Sequence, residues 1–276
     1  MEGHRARRRF SQNFLHDAGV IDRIVAAIDP HPRQHLVEIG PGTGALTQRL
    51  IARAGHICAI EIDRDLAARL RKRYTPDVLD LINADALQLD WRQLAKRQGG
   101  ALRIVGNLPY HVSTPLLFCL LPIADQVQDQ HFMLQREVVE RMVATPGGKD
   151  YGRLSVMLQF RYHIERLFHV GSGSFHPAPK VQSSVVRMKP LDAEQLPPVA
   201  LPVFAAVVAA AFSQRRKTLR NALRNLLTQV QIEQALVDPG ARAEALDIAA
   251  FVRLANCVAH DELAPDVAKD LPARRS

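Results

Sequence analysis

Apolar residues in the first two-thirds of the chain alternate between short continuous runs and longer stretches with helical spacing. The short runs are typical of buried strands, and apolar positions three and four residues apart predict amphipathic helices. Predicted strands occupy His35–Ile39, Ile57–Ile62, Val78–Asn83, Leu102–Val105 and Gln130–Leu134. Predicted helices lie before and between them, at Ala18–Ile28, Ala45–Ala54, Leu66–Tyr74 and Pro115–Leu121. This alternation indicates βαβ units and a parallel sheet.

The pattern changes in the last third of the chain. Two further apolar segments, Arg161–Val170 and Ser183–Met188, extend the predicted sheet, and a proline-containing linker over Leu191–Pro202 follows them. Beyond the linker the apolar residues have helical spacing. We therefore predict an α/β protein with a Rossmann-like domain over residues 1–190 and a small all-α domain over residues 200–276.

Composition narrows the class of protein. The chain has 276 residues, of which 47% are hydrophobic and 23% charged. It can bury a substantial core, which excludes a disordered or disulfide-dependent protein. Lys and Arg number 36 against 28 Asp and Glu, so the formal net charge is +8. This excess favours a polyanionic partner, either a nucleic acid or an acidic membrane surface.

The sequence indicates neither a membrane-spanning segment nor a metal site. The longest apolar stretch, Val199–Phe212, is interrupted by Pro202 and is too short to span a bilayer. The spacing of Cys58, Cys119 and Cys257 fits neither a zinc site nor a disulfide framework. We expect a cytoplasmic protein whose cysteines are small buried hydrophobes.

Positive charge is concentrated in an N-terminal arm and in the predicted C-terminal helices. The residues concerned are Arg5, Arg7, Arg8, Arg9, Arg215, Arg216, Lys217, Arg220 and Arg224. Because Arg216, Arg220 and Arg224 follow at four-residue intervals around a predicted helix over Thr218–Thr228, we expect them on one helix face. Such a stripe suits an RNA phosphate backbone, and an ordinary solvated face is the alternative.

A glycine-rich turn, Gly40-Pro41-Gly42-Thr43-Gly44, follows the first of these strands and opens a helix. Glycines there permit a tight turn and let backbone N–H groups approach a ligand. The G-x-G-x-G spacing differs from the G-x-G-x-x-G of pyrophosphate-binding dinucleotide folds. An ordinary βα loop is the alternative interpretation of this turn.

Carboxylates follow the next two strands. Glu61 ends the strand after the turn, where it can accept two hydrogen bonds from a ribose diol, and Asp85 is placed to contact a nucleobase amino group. The alternative for Glu61 is a solvated strand-end carboxylate, and the alternative for Asp85 is a helix cap or a turn residue. A ligand with a ribose and an adenine but no phosphate fits better than NAD, and S-adenosylmethionine (SAM) is such a ligand.

The segment Asn107-Leu108-Pro109-Tyr110 follows the fourth strand. An Asn side-chain oxygen and a nearby backbone carbonyl can accept both hydrogens of a planar exocyclic amine, which orients its nitrogen toward an electrophilic methyl group. Tyr110 offers a stacking face for the base. No general base is required, because a sulfonium is a strong electrophile. The alternative is a strand-end turn with a packed tyrosine.

Longer motifs carry a resemblance to a known family. They are E-I-G-P-G-T-G-A-L-T with N-L-P-Y, the N-terminal segment Phe10–Asp17, the segment Phe175–Val185, and Phe212–Leu223. Together they resemble the KsgA (RsmA) family of small-subunit ribosomal RNA adenine dimethyltransferases, over roughly residues 10–258. The resemblance implies a Rossmann-like SAM-dependent methyltransferase domain followed by a small C-terminal all-α domain.

The resemblance also implies roles for individual residues. The cofactor-binding positions would be Asn13, Leu15, Gly40, Glu61, Asp85 and Asn107. Asn107 and Leu108 would lie at the target amine, and Tyr110 and Phe175 would enclose the flipped adenine. We expect Phe175 to lie in a flexible Gly/Pro loop rather than in a strand.

The implied reaction is dimethylation of two adjacent adenosines in the 3′-terminal hairpin loop of 16S rRNA. Four SAM molecules would be consumed without a metal, by a monomer acting on a pre-30S particle in the cytoplasm. Three alternatives stay open: a resistance methyltransferase acting on one adenine of large-subunit rRNA, a non-catalytic assembly factor, and a nicotinamide dehydrogenase. The turn spacing and N-L-P-Y disfavour the last.

Overall fold

A computed structural model describes residues 13–214 and 216–258. The arm that carries Arg5, Arg7, Arg8 and Arg9 lies outside the described residues, as does Arg215. The strands are β1 (Phe14–Leu15), β2 (His35–Ile39), β3 (Ile57–Ile60), β4 (Leu79–Ile82), β5 (Leu102–Asn107), β6 (Val127–Gln135), β7 (Tyr162–Val170), β8 (Phe175–His176) and β9 (Ser183–Pro190).

Helices connect these strands and make up most of the C-terminal region. They are α1 (Ala18–Ile28), α2 (Ala45–Ala54), α3 (Arg64–Arg73), α4 (Trp91–Gln98), α5 (Tyr110–Leu120), α6 (Arg136–Met142), α7 (Arg153–Gln159), α8 (Leu201–Phe212), α9 (Leu219–Ala222), α10 (Gln229–Gln234) and α11 (Ile248–Asn256). The sequence pattern predicted α1 and α2 with these same bounds, because their apolar positions recur cleanly at helical spacing. It missed α4, α6 and α7.

The chain divides into two compact units. The first comprises Met1–Val139 and Ile164–Pro190, and the second comprises Glu140–His163 and Leu191–Ser276. The change of pattern near residue 190 therefore coincides with a boundary between units. Residues 140–163, however, are grouped with the C-terminal helices, whereas the sequence analysis placed them in the first domain.

Aromatic packing explains this grouping. The ring of Phe160, just after α7, stacks on that of Phe204 in α8, with the ring centroids 4.0 Å apart. Tyr151, between α6 and α7, makes an edge-to-face contact with Phe212 at the end of α8, with the centroids 6.3 Å apart. Buried aromatic pairs of this kind contribute strongly to a core. A contact between residues more than forty positions apart leaves no local signal in the sequence.

The main sheet among the described residues has the strand order β4-β3-β2-β5-β6-β9-β7. The strands from β4 to β6 pair in parallel, as the βαβ pattern predicted, whereas β9 is antiparallel to β6. β3 is buried along its whole length, which explains its continuous apolar run. Parallel pairing brings the carboxyl ends of β2 to β5 to one edge, where side chains after each strand can converge.

Candidate active site

The carboxyl ends of these parallel strands open onto a cleft in the first unit, with about 1220 Å³ of empty space, part of it open to solvent. Every residue that the sequence analysis connected with the cofactor or the adenine lines it. These residues are Asn13, Leu15, Gly40, Glu61, Asp85, Asn107, Leu108, Tyr110 and Phe175. They come from distant parts of the sequence and meet because the sheet order brings their segments together.

The glycine-rich turn needs its glycines for backbone conformation. Gly40, Gly42 and Gly44 have φ angles of 68°, 59° and 84°, in the left-handed region that favours glycine. The N–H of Gly40 donates to the carbonyl oxygen of Ile60 at 2.9 Å, which fastens the turn to β3. A Cβ atom at Gly44 would lie 3.0 Å from a methyl group of Leu70, so the turn also packs closely on α3.

Glu61 follows β3 and is only 3% exposed. Its two carboxylate oxygens accept backbone N–H groups, Oε2 from Gly42 at 3.0 Å and Oε1 from Asp63 at 2.8 Å. Burial raises the pKa of Glu61, and these hydrogen bonds oppose the increase. The carboxylate is thus held in one orientation at the cleft, and each oxygen keeps a lone pair for a ligand.

A second buried carboxyl lies beside it. Glu38, near the end of β2, lines the cleft, and its Oε2 accepts a hydrogen bond from the Thr47 hydroxyl at 2.6 Å. Burial, with a further contribution from the charge of Glu61, raises the pKa of Glu38 to about 8. The sequence analysis did not single out Thr47. Both residues lie at the ends of the E-I-G-P-G-T-G-A-L-T motif, but nothing in the motif shows that they are hydrogen-bonded partners.

Asp85 follows β4 and lines the cleft while half-buried. Its Oδ1 accepts the N–H of Leu87 at 2.9 Å, so the turn-forming role considered as an alternative does exist. In the same cleft, the side chain of Ile62 is 47% exposed. A large apolar side chain left open inside a cleft provides a contact surface for a flat, apolar part of a ligand.

The N-L-P-Y segment joins β5 directly to α5. The strand continues to Asn107, and the helix begins at Tyr110 rather than at Pro115, where the spacing predicted its start. Pro115 lies inside this helix. The buried Leu108 donates its backbone N–H to the carbonyl oxygen of Met133 in β6 at 3.2 Å. The backbone of the segment is therefore fixed by the neighbouring strand.

The side chain of Asn107 is oriented by a separate contact. Its amide nitrogen donates to the carbonyl oxygen of Asn13 at 3.3 Å. The preceding Gly106 makes a close strand approach possible, because a Cβ atom there would lie 2.6 Å from the carbonyl oxygen of Ile39. Any larger residue at Gly106 would displace the strand end that carries Asn107.

The expectation that Phe175 lies in a flexible loop is wrong. Phe175 belongs to β8, which pairs antiparallel with β1, so that Phe175 lies opposite Leu15. It is 4% exposed and packs in a buried apolar cluster while also lining the cleft. Two-residue strands are too short to leave an apolar pattern, and the Gly and Pro residues around Phe175 favoured a loop.

The basic C-terminal residues do not form the predicted helix stripe. The helix α9 covers only Leu219–Ala222, so Arg216 and Arg224 lie in turns on either side of it and only Arg220 is helical. Leu223 ends the helix at φ −97° and ψ 3°. The described basic residues of this segment, Arg216, Lys217, Arg220 and Arg224, are nevertheless all exposed. They belong to the second unit.

No helix among the described residues is long and apolar enough to cross a membrane. Within the same residues, no group of three or more His, Cys, Asp and Glu side chains is arranged to hold a metal ion. Cys58, Cys119 and Cys257 are free thiols, of which Cys58 is buried.

Comparison with known proteins identifies the family. The sequence matches the ribosomal RNA adenine dimethylase family over residues 3–260. It is 54% identical to a ribosomal RNA small subunit methyltransferase A of Aromatoleum aromaticum, covering 94% of this chain and 96% of that protein. The chain belongs to the ribosomal RNA adenine dimethylase family. The enzyme of the same name from Pseudomonas aeruginosa is 52% identical over 93% of this chain and 96% of its own.

Solved structures agree with the fold. A dimethyladenosine transferase from Plasmodium falciparum matches with a TM-score of 0.71 at 24% identity, covering 87% of this chain and 95% of that one. The 23S rRNA methyltransferase ErmE matches with a TM-score of 0.65 at 26% identity, covering 89% and 99%. The Rossmann-like methyltransferase fold predicted from the sequence is thereby confirmed, and family membership removes the nicotinamide dehydrogenase from the alternatives.

Proposed function

We propose that this enzyme transfers methyl groups from SAM to the N6 amines of two adjacent adenosines in the 3′-terminal hairpin loop of 16S rRNA. The proposal includes a pre-30S particle as substrate, a monomeric enzyme and a cytoplasmic reaction. The observation that carries it is the convergence in one cleft of the glycine turn, Glu61, Asp85 and Asn107–Tyr110. The small-subunit relatives, 50–54% identical over more than nine-tenths of the chain, support this substrate.

The cleft fits SAM in charge and shape. Glu61 would accept hydrogen bonds from the ribose hydroxyls, since each of its oxygens has a lone pair beyond the bond to the backbone. The half-exposed Ile62 would contact the adenine ring, and Asp85 would accept from its amino group. The left-handed turn at Gly40 keeps the backbone free of Cβ atoms near the methionyl part. Asn13 and Leu15 would contribute from the rim of the cleft.

Bound SAM would supply a methyl group on a sulfonium, which an aromatic amine can attack without prior deprotonation. The protein's task is then to orient the amine. Because the amide nitrogen of Asn107 is occupied by the carbonyl oxygen of Asn13, the amide oxygen is the acceptor for one amine hydrogen. A backbone carbonyl at Leu108 would accept the other. Tyr110 and Phe175 would enclose the base.

The basic residues are proposed to bind phosphates of the rRNA rather than bases. This assignment covers the exposed side chains of the second unit and the residues outside the described ranges, namely Arg5, Arg7, Arg8, Arg9, Arg215, Arg216, Lys217, Arg220 and Arg224. A charge of +8 concentrated in two segments suits a polyanion, and phosphate contacts position a protein without reading sequence.

The substrate is tested by methylation in vitro of 30S particles from cells that lack this modification, compared with protein-free 23S rRNA. We expect dimethyladenosine in the 16S rRNA, detected by nucleoside mass spectrometry, and about four methyl groups transferred per particle. Preferential modification of 23S rRNA would instead support a large-subunit enzyme similar to the 23S rRNA methyltransferase ErmE. SAM binding without product on either RNA would support a non-catalytic assembly factor.

A further inference from the structure

Ser183 lies beside the proposed adenine site without lining the cleft itself. It is the first residue of β9 and is 1% exposed. The sheet register places it opposite Gln135, the last residue of β6. Its hydroxyl oxygen lies 3.2 Å from the phenolic oxygen of Tyr110, and either atom can donate the hydrogen bond. Tyr110 is therefore fixed at both ends, by its backbone in α5 and by its hydroxyl group.

The segment that ends at Ser183 begins at Phe175, the other aromatic residue proposed to enclose the adenine. Phe175 is held by the pairing of β8 with β1. Ser183 is held by the pairing of β9 with β6, and just before it the carbonyl oxygen of Gln182 accepts the N–H of Arg136 at 2.9 Å. One short length of chain thus supports Phe175 directly and Tyr110 through a hydrogen bond.

We propose that Ser183 is a positioning residue for methyl transfer, whose hydrogen bond to Tyr110 sets the angle of the ring on which the target adenine stacks. This inference rests on the proposed function. A tyrosine at the start of a helix has rotational freedom in χ1 and χ2, and the bond at its hydroxyl removes part of that freedom. Since transfer requires the amine to face the methyl group, a loosened ring lowers the rate more than it lowers RNA binding.

The neighbouring residue provides a matched control. Ser184 is 0% exposed, and its hydroxyl lies 2.8 Å from Nδ1 of His169 in β7. Successive side chains of a strand point to opposite faces, so Ser184 faces away from Tyr110. Ser184→Ala removes the same group from the same strand at equal burial, without affecting the bond to the tyrosine.

The test compares Ser183→Ala, Tyr110→Phe, the double variant and Ser184→Ala on undermethylated 30S particles. We expect Ser183→Ala and Tyr110→Phe each to lower kcat by about 3- to 10-fold, as loss of one hydrogen bond would. The KM for the particle should change by less than about 2-fold, and the double variant should be no worse than Tyr110→Phe alone. Monomethyladenosine should accumulate, because a loosened base is less well placed for the second transfer.

Ser184→Ala should keep the kcat and the product ratio of the unaltered protein, although it loses thermal stability comparable to Ser183→Ala. Equal kcat values for the two alanine variants, or effects of Ser183→Ala and Tyr110→Phe that multiply in the double variant, would overturn the positioning role. If Ser183→Ala does not fold, Tyr110→Phe breaks the same bond from the other side. Absence of transfer by the unaltered protein would overturn the proposed function itself.

Discussion

The central strands of the sheet carry two buried polar clusters, an amino-end cluster near the starts of the strands and a carboxyl-end cluster near their ends. The two clusters differ in how their charges are compensated. At the starts of β5 and β6, Arg103 and Asp129 form an ion pair with both residues 5% exposed, and Nη2 of the arginine lies 2.8 Å from Oδ2 of the aspartate. At the ends of β2 and β3, Glu38 and Glu61 are two carboxyls near each other, both of them held by neutral donors.

Carboxyl groups that are similarly buried in the two clusters therefore have pKa shifts of opposite sign. Burial by itself raises the pKa of Asp129, but the nearby His131, whose Nδ1 lies 3.7 Å from Oδ1, and the hydrogen bonds and charge of Arg103 outweigh it, and the pKa is lowered. For Glu38 and Glu61, burial dominates and the pKa is raised. The amino-end cluster keeps its opposite charges paired inside the fold, whereas the carboxyl-end cluster retains carboxyls that are costly to ionise where a ligand would bind.

Breaking the amino-end cluster is expected to have the largest effect on stability. Arg103 also donates to Gln34 at 2.6 Å and to the carbonyl oxygen of Asp29 at 3.1 Å. Arg103→Met should lower the free energy of unfolding by about 3–5 kcal/mol in urea titrations, because it leaves Asp129 buried without its cation. The double variant Arg103→Met/Asp129→Leu should recover much of the loss. A change below about 1 kcal/mol would show that the pair is not structural.

At the carboxyl end, Asn107→Ala is expected to affect chemistry instead. Removing the amide takes away an acceptor for the target amine, so kcat should fall by at least about 100-fold, or ~2.7 kcal/mol in the activation free energy. RNA affinity in a filter-binding assay and the urea midpoint should change little. Turnover within a few-fold of the unaltered protein would refute the role assigned to Asn107.

The amino-end and carboxyl-end clusters should give the free energy of unfolding different dependences on pH. A carboxyl whose pKa is higher in the folded than in the unfolded protein binds protons on folding, so stability falls as pH rises from about 4.5 to about 8. Between pH 6 and pH 8 this amounts to roughly 2–3 kcal/mol for Glu38. The lowered pKa of Asp129 has the opposite effect: its contribution to the free energy of unfolding is lost only in acid, below the ordinary pKa of 3.8.

Glu38→Gln should therefore flatten the stability profile between pH 6 and pH 8, measured by urea unfolding at each pH. Glu61 contributes a slope of the same sign, since its pKa is also raised. An unchanged slope in Glu38→Gln would mean that Glu38 is ionised in the folded protein without penalty.

The smallest expected effects come from the exposed basic residues of the second unit. Arg216→Ala, Arg220→Ala and Arg224→Ala should each reduce the dependence of log affinity for rRNA on log salt concentration by about one, if each contacts a phosphate. Arg69→Ala on the exposed surface of α3 serves as the control for loss of a surface charge. Slopes equal to that of the control would exclude phosphate contacts for these arginines.

Local patterns in the sequence determined the elements and much of the cleft. Periodic apolar spacing located α1 and α2, and continuous apolar runs located the parallel strands. The residues that follow parallel strands must gather at one sheet edge, so Glu61, Asp85 and Asn107 could be grouped before the structure was known. The glycine spacing defined the turn because only glycine adopts its φ angles at little cost.

Only the tertiary structure decided features that depend on contacts between distant residues. The grouping of residues 140–163 with the C-terminal helices, the burial of Phe175 against Leu15 and the bond between Ser183 and Tyr110 join positions far apart in the chain. Such contacts leave no period or motif in the sequence. The pKa of Glu38 likewise depends on burial by the surrounding fold, a quantity that a sequence does not contain.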